Sequence, residues 1–561
     1  VTGSRIKRAT NADSAVPLQV YGATDLDEIG TTDLAEALVQ LPGVSESISP
    51  KSSNNLIQTS GLSTISLRRL GDDRTLVLIN GKRAVSNSGN SDRVSLSTLP
   101  SGFVERTEIT TGGASAVYGS DAMAGVVNFI LDDEFEGIEV EASYQASEKG
   151  DTGLKNLSAT MGGNFDNGRG NATIFLGYTQ RDAVFQGDRD FSAVANQDLG
   201  AGNGFGPFGS SGVPGSRLFS SFDFTNAGYT TNGTACTAPA GGSAEGLSAT
   251  CTGGATFAAD GSIIPWINGG ANTTRYNYAP VNYLQLPQER YLIGGYADYD
   301  IGGGHTLTSQ TSYLSWESSR VTDLDFTRFQ VLDLIDEESK EAISQELRIS
   351  SDSSGPVTYL AGVYYYSNDY FLDRGVSAPS PVLPFSGRTN QSAWIDTESW
   401  SVFGSGKIEL SDQLAVTAGV RYTNETKGAS YERVTTGGSI DALGAPMPFA
   451  TVPNQVAKDL DGNLGIEFTP NRDTLFYITL ARGSKSGGFQ SGPDSLDVAA
   501  FTGETAYTVE AGAKFGIGNI GNATIAVFNT VVEDFQVGRV QTVNGLPQVV
   551  VDNSQIRSRG V

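Results

Sequence analysis

Apolar and polar residues alternate with a period of two through most of the chain. Ile138, Val140, Ala142 and Tyr144 interleave with Glu139, Glu141, Ser143 and Gln145. Leu414, Val416, Ala418, Val420 and Tyr422 interleave with Ala415, Thr417, Gly419 and Arg421, and Tyr507, Val509, Ala511, Ala513 and Phe515 with Thr508, Glu510, Gly512 and Lys514. Successive side chains of a strand point to opposite faces, so each run carries an apolar stripe on one face and charged or small residues on the other. From about Gly137 onward the pattern predicts about 14 strands, starting near residues 137, 153, 171, 290, 305, 341, 357, 397, 413, 456, 473, 505, 522 and 544. The connections alternate in length. Asp166–Gly170 and Ile301–Gly304 are short turns, whereas 185–288, 320–340, 368–396, 428–455 and 487–504 read as long loops. Short turns on one side, long loops on the other and Tyr or Phe at the stripe ends describe a transmembrane antiparallel β-barrel. A soluble sandwich with one wet face leaves the asymmetry of the connections unexplained.

Residues 1–132 differ. Thr31-Thr32-Asp33 can cap a helix through Leu34, Leu38 and Leu41 that Pro42-Gly43 ends. Thr75-Leu76-Val77-Leu78-Ile79 reads as a short buried strand closed by the turn Asn80-Gly81. The expected organisation is a small α+β globule over 1–132, followed by the barrel over 133–561.

Composition agrees and adds exclusions. Only 38% of residues are hydrophobic, below the usual share for globular domains, and there is no apolar run of helix-spanning length; alternating barrel strands keep average hydropathy low. A net charge of −25 repels phosphate backbones, so nucleic acid is not expected as a partner; solubility alone also explains the acidity. Cys236 and Cys251 enclose 14 residues of a Gly/Ser/Ala/Thr-rich stretch. They read as a loop disulfide of an oxidising compartment, worth roughly 3 kcal/mol in the chain-entropy model; a two-thiol metal site is the alternative, without a nearby His. The one histidine, His305, follows a glycine turn and is expected at the rim of the short-turn side. With a single His and no nucleotide or zinc motif, no catalytic residues, cofactor or metal are expected. Asp459-Leu460-Asp461-Gly462-Asn463 echoes a calcium loop but lacks the later bidentate Glu, so a hairpin turn or strand entry is expected. Asp333, Asp336, Glu337 and Glu338 read as an acidic loop that is solvated, with Ca²⁺ binding as the alternative.

Residues 104–131, Val-Glu-Arg-Thr-Glu-Ile-Thr-Thr-Gly-Gly-Ala-Ser-Ala-Val-Tyr-Gly-Ser-Asp-Ala-Met-Ala-Gly-Val-Val-Asn-Phe-Ile-Leu, resemble the final section of the plug domain of TonB-dependent receptors. Leu41-Pro42-Gly43-Val44 and Thr75–Arg83 match two further plug motifs in order, and Ser344–Ile349, Ala418–Tyr422 and Ala481–Phe489 resemble recurring barrel segments. One departure is Arg68-Arg69, where the family usually has Arg-Gly. The resemblance covers essentially the whole chain and implies a plug followed by part of a 22-stranded barrel. Members of the family end on an aromatic residue; Arg559-Gly560-Val561 stands mid-barrel, about 8 strands short of closure. Val1-Thr2-Gly3 resembles the residues at or just after the TonB-coupling motif, and no signal peptide precedes it, so the gene product is expected to start upstream.

The resemblance implies an outer-membrane receptor of a Gram-negative bacterium. Its expected role is energised uptake of a scarce, large ligand such as a ferric siderophore or glycan, with TonB and its inner-membrane energising complex as partners. A passive porin or adhesin barrel is the alternative, but it leaves the N-terminal globule unexplained. Candidate ligand contacts are Lys51, Asn54, Asn55 and Gln58 on one outward plug loop and Asn87, Ser88, Asn90 and Arg93 on another. Arg68, Arg106 and Glu108 are candidates for contacts between plug and barrel.

Overall fold

The run Gly125-Val126-Val127-Asn128-Phe129-Ile130-Leu131 is almost unbroken in apolar character, as a strand covered on both faces requires. The computed structural model describes residues 18–22, 34–41, 43–48, 62–84, 93–96, 104–111, 122–131, 135–185, 188–189, 196–198, 205–207, 255–257, 263–265, 283–285, 287–323, 333–352, 355–378, 387–436, 446–471, 473–493, 495–517, 521–543 and 546–561. The N-terminal elements are β1 (Leu18–Gly22), α1 (Leu34–Leu38), β2 (Val44–Ile48), β3 (Thr64–Leu67), β4 (Thr75–Ile79), β5 (Lys82–Arg83), β6 (Val104–Thr111) and β7 (Gly125–Leu131). The apolar run is β7, at the centre of a five-stranded sheet of order β1-β6-β7-β4-β5. It pairs parallel to β4, Val77 opposite Val127, and antiparallel to β6. α1 lays Leu34 and Leu38 onto this core beside Ile65, Leu67, Val127 and Phe129. Asn80 and Gly81 both take positive φ, 49° and 76°, and close the β4–β5 hairpin as expected of an Asn-Gly turn.

Among the described residues beyond these N-terminal elements, one sheet of 14 strands dominates, with short two-stranded ribbons beside it. The strands of the sheet are β8 (Gly137–Gln145), β9 (Leu154–Phe165), β10 (Gly170–Arg181), β11 (Gln288–Gly302), β12 (His305–Asp323), β13 (Asp333–Ser351) and β14 (Val357–Ala378). They continue with β15 (Gly387–Ser411), β16 (Leu414–Thr436), β17 (Met447–Asn471), β18 (Thr474–Lys485), β19 (Glu504–Ile517), β20 (Gly521–Val543) and β21 (Leu546–Gly560). Each strand pairs antiparallel with its neighbours in sequence, an up-and-down meander. The sheet wraps the N-terminal globule: Phe175 of β10 and Ile556 of β21, far apart in strand order, both pack on its core.

Burial is inverted relative to a soluble protein. Val402, Val420, Ile466, Ile478 and Val509 stand 44–51% exposed, while Ser401, Arg421 and Glu510 are 1–5% exposed. The apolar stripes therefore face outward and the polar ones face the enclosed globule, the arrangement that lipid outside and a polar lumen inside select. Among the described residues no helix is long and apolar enough to cross a membrane.

Three expectations are corrected here. Strands β13, β15 and β17 begin at 333, 387 and 447, some ten residues before the starts read from the pattern. The loops on that side shorten accordingly, because hydrogen-bonded pairing continues beyond the clean alternation; Ala393, Ile395 and Val452 in these extensions are buried in a cluster with Phe489. Asp459–Asn463 lies inside β17 and not at a turn; Asp461 is buried there and accepts from Arg482 at 3.1 Å and Ser484 at 2.9 Å. Asp333, Asp336, Glu337 and Glu338 belong to strand β13, not to a loop. Asp336 is buried between Arg320 and Arg374, the latter donating through Nε at 2.9 Å. Cys236 and Cys251 lie outside the described residues.

Candidate functional site

The turn between β3 and β4 carries the side chains that meet the barrel. Leu67 ends β3, and the chain then reverses through Arg68 and Arg69, both left-handed with φ of 54° and 55°, and Gly71 with φ of 105°. A Cβ on Gly71 would stand 2.6 Å from Asp73 Oδ1, so glycine is required there. Side chains fix the turn. The Gly71 N–H donates to Ser66 Oγ at 3.0 Å, and Thr75 Oγ1 accepts from the Leu67 N–H at 2.9 Å while donating to the Gly71 carbonyl at 3.1 Å. The result presents Arg68, Asp73 and Arg74 on one side of a rigid corner.

The barrel answers with opposite charge. Arg74 grips Glu504 with a bidentate pair, Nε donating to Oε2 at 2.9 Å and Nη2 to Oε1. Nη2 also donates to the Gln536 carbonyl at 3.1 Å and Nη1 to Asp73 Oδ1 at 2.6 Å. Lys485 Nζ donates to Asp73 Oδ2 at 3.0 Å and to Gln536 Oε1 at 2.8 Å. The guanidinium lies 3.6 Å from the centre of the Phe535 ring, a cation–π contact. Two cations and two carboxylates thus neutralise one another with water excluded; Arg74 is 3% exposed and the Glu504 side chain 0%. Burial opposes ionisation of Asp73, but the Lys485 ammonium and the Arg74 and Arg93 guanidiniums outweigh it and hold its carboxyl well below the usual carboxylate range.

A second contact lies beside the first. Arg68 Nη2 donates to Glu510 Oε2 at 2.5 Å, over the Phe528 ring at 3.8 Å, and Tyr477 donates its hydroxyl to the other Glu510 oxygen at 3.0 Å. Glu504 and Glu510 share the inward face of β19 because they are an even number of residues apart. Lys485 ends β18 and Glu504 opens β19, so these two latch residues are the stems of one connection. That connection folds inward: Phe489 is buried, Tyr431 donates to the Gln490 carbonyl at 2.7 Å, and Arg433 and Gln391 both donate to the Pro493 carbonyl, at 2.6 and 2.9 Å.

The other sequence candidates fall as follows. Arg93 is described and donates to Asp72 Oδ1 at 3.0 Å; Asp72 in turn accepts from Thr64 Oγ1 at 2.7 Å. Lys51, Asn54, Asn55, Gln58, Asn87, Ser88 and Asn90 lie outside the described residues. Arg106 donates to Glu108 at 2.9 Å and stands 3.0 Å from Glu105, all three on β6. His305 opens β12 next to its glycine turn, its Nε2 3.4 Å from Tyr359 Oη. Sequence reasoning missed Asp73, Arg74, Lys485, Glu504 and Gln536. Glu504, at the head of a strand's polar face, carried the one usable signal, since a charge on that face must meet a partner in the lumen.

Comparison with known proteins places this architecture. The family model described as TonB-dependent Receptor Plug Domain matches residues 10–126, and the one described as TonB dependent receptor-like, beta-barrel matches residues 246–561. Among solved structures, the ferric yersiniabactin uptake receptor FyuA of Yersinia pestis superposes with a TM-score of 0.59 at 15% identity, over 94% of this chain and 74% of that one. The siderophore receptor PiuA of Acinetobacter baumannii gives 0.56 at 16% identity, over 95% and 75%. The ferric-catecholate import receptor Fiu of E. coli K12 gives 0.56 at 14% identity, over 99% and 78%. At such identities the structures establish the fold, and the family models, the barrel model alone covering more than half of the chain, establish the kinship. The chain belongs to the TonB-dependent receptors, the plugged β-barrel receptors of the Gram-negative outer membrane.

Proposed function

We propose that the protein takes up a scarce, large ligand, a ferric siderophore foremost and a glycan second, with energy delivered through TonB. The observation that carries this reading is the buried ion network of Asp73, Arg74, Lys485 and Glu504 between plug and wall. A plug sealed by apolar packing would resist displacement over its whole contact area. One held by a few directional charge pairs stays closed at rest and lets go once those pairs are broken and rehydrated. The outer membrane holds no nucleotide pool and the sequence carries no nucleotide motif, so the work must arrive from outside the barrel. In this reading a segment before residue 18 adds to TonB as a strand, and tension on it is transmitted through the plug sheet to the β3–β4 corner.

The likeness to a ferric yersiniabactin uptake receptor, a siderophore receptor and a ferric-catecholate import receptor supports iron chelates as the first class to test. In this reading Lys51, Asn54, Asn55, Gln58, Asn87, Ser88 and Asn90, with Arg93 beside its partner Asp72, give an oxygen-rich ligand its donors and acceptors. The test is accumulation of label by cells producing the full-length gene product, from ⁵⁵Fe-loaded catecholate, hydroxamate and citrate chelates and from labelled oligosaccharides, with and without TonB. Saturable accumulation of one class that vanishes without TonB supports the proposal. Equal accumulation in both strains assigns passive passage instead.

A further inference from the structure

Between the β4–β5 hairpin of the plug and the inner wall at β10–β12 lies a cavity of about 60 Å³. Its apolar lining includes Leu131, Phe175, Leu292 and Leu314, and two guanidiniums line it as well, Arg83 from the plug and Arg290 from the wall. Arg290 is 6% exposed, and among the described residues its Nε and Nη1 have no hydrogen-bond partner. Directly opposite in register on β12, Trp316 is 5% exposed and its indole N–H is also without a partner. Several other buried arginines meet a carboxylate, Arg74 with Glu504, Arg68 with Glu510, Arg320 and Arg374 with Asp336, while Arg421 and Arg433 donate to hydroxyl, amide and carbonyl oxygens. A buried charge without a counter-charge is strongly unfavourable, and orphaned donors beside a cavity mark a missing acceptor.

We infer that this seam is a binding site for a small carboxylate anion, held by Arg290 of the wall and bounded by the plug hairpin. A planar guanidinium presents a fork of N–H groups that matches a carboxylate. The apolar lining suits a short hydrocarbon tail and disfavours a dianion. The volume admits a carboxylate of two or three carbons; a larger body must project from the open side. Because the lining comes from both plug and wall, the occupant sits where the two must part.

The test is calorimetric titration of the full-length receptor, in carboxylate-free buffer at constant ionic strength, with sodium acetate and separately with sodium benzoate. Saturable 1:1 binding of acetate is expected, at least about tenfold weaker in Arg290→Met and partly restored in Arg290→Lys. Binding of acetate alone identifies a free small anion as the occupant; binding of benzoate as well identifies the carboxylate end of a larger solute. Arg290→Met keeps volume and removes the unmatched charge. Its thermal midpoint without carboxylate is therefore expected above that of the natural protein, with acetate closing the gap. Absence of saturable binding in the natural protein, or equal binding by Arg290→Met, overturns the inference. So does a lowered midpoint of Arg290→Met in carboxylate-free buffer, which would mean that the chain already supplies the counter-charge.

Discussion

Arg69 keeps φ at 55° with an exposed side chain, a conformation that glycine adopts freely. An L-residue there crowds its Cβ against the following carbonyl, at about 1 kcal/mol or somewhat more. Arg69→Gly is therefore expected to raise the plug's unfolding free energy by about 1 kcal/mol in calorimetry of the intact receptor; an unchanged or lowered plug transition would show that the strain is relieved. At Arg74 the sign is opposite. Removing one partner strands the other's charge without water, so Arg74→Met or Glu504→Met alone is expected to cost about 3–5 kcal/mol, and Arg74→Met with Glu504→Met much less. A double-mutant cycle on plug release in urea measures both; additive single effects would remove the pair from the account. Asp73 adds a pH signature. Its folded-state pKa is depressed from the ordinary 3.8, so its contribution is fully present above that value and is lost as pH falls below it toward the folded value. Plug release in urea is expected to become easier as pH drops below about 4, and less so in Asp73→Asn.

At the scale of elements, period two was the most legible feature of the sequence. The starts read for β8, β9, β10, β12, β14, β16, β18, β19 and β20 fall within a residue of those observed. Those of β13, β15 and β17 were hidden because clean alternation fades before the backbone ladder ends, and the apolar residues there, such as Ala393, Ile395 and Val452, pack inward. The face of each stripe was legible too, and the register now gives its depth. On β19 the outward rings of Phe515 and Tyr507 bracket Ala511, whose outward neighbour on β18 is Ile478. Ile478 thus stands near mid-bilayer, and Ile478→Arg is expected to destabilise the barrel by about 2–4 kcal/mol. Folding into bilayers of defined thickness, followed by urea titration, would check this; a loss below about 1 kcal/mol would place Ile478 at the interface.

Across the whole molecule, the plug motifs disclosed the family, and the contacts that join the plug to the wall stayed out of view. Arg74 and Glu504 are separated by 430 positions, and neither alternation nor local motif carries information over that span. Only closure of the sheet around the globule brings them together. The same closure puts Lys485 and Glu504 on the two stems of one connection, so that connection and the plug contact share a base. The central claim is that the plug, gripped at this corner, must part from the wall for uptake. It is tested most directly by tying Arg68→Cys to Glu510→Cys with a reducible bismaleimide, in the full-length product carrying Cys236→Ser and Cys251→Ser. The measurement is TonB-dependent uptake before and after reduction. The account predicts that uptake stops when the tether is closed and returns when it is cleaved; undiminished uptake through a closed tether would contradict it.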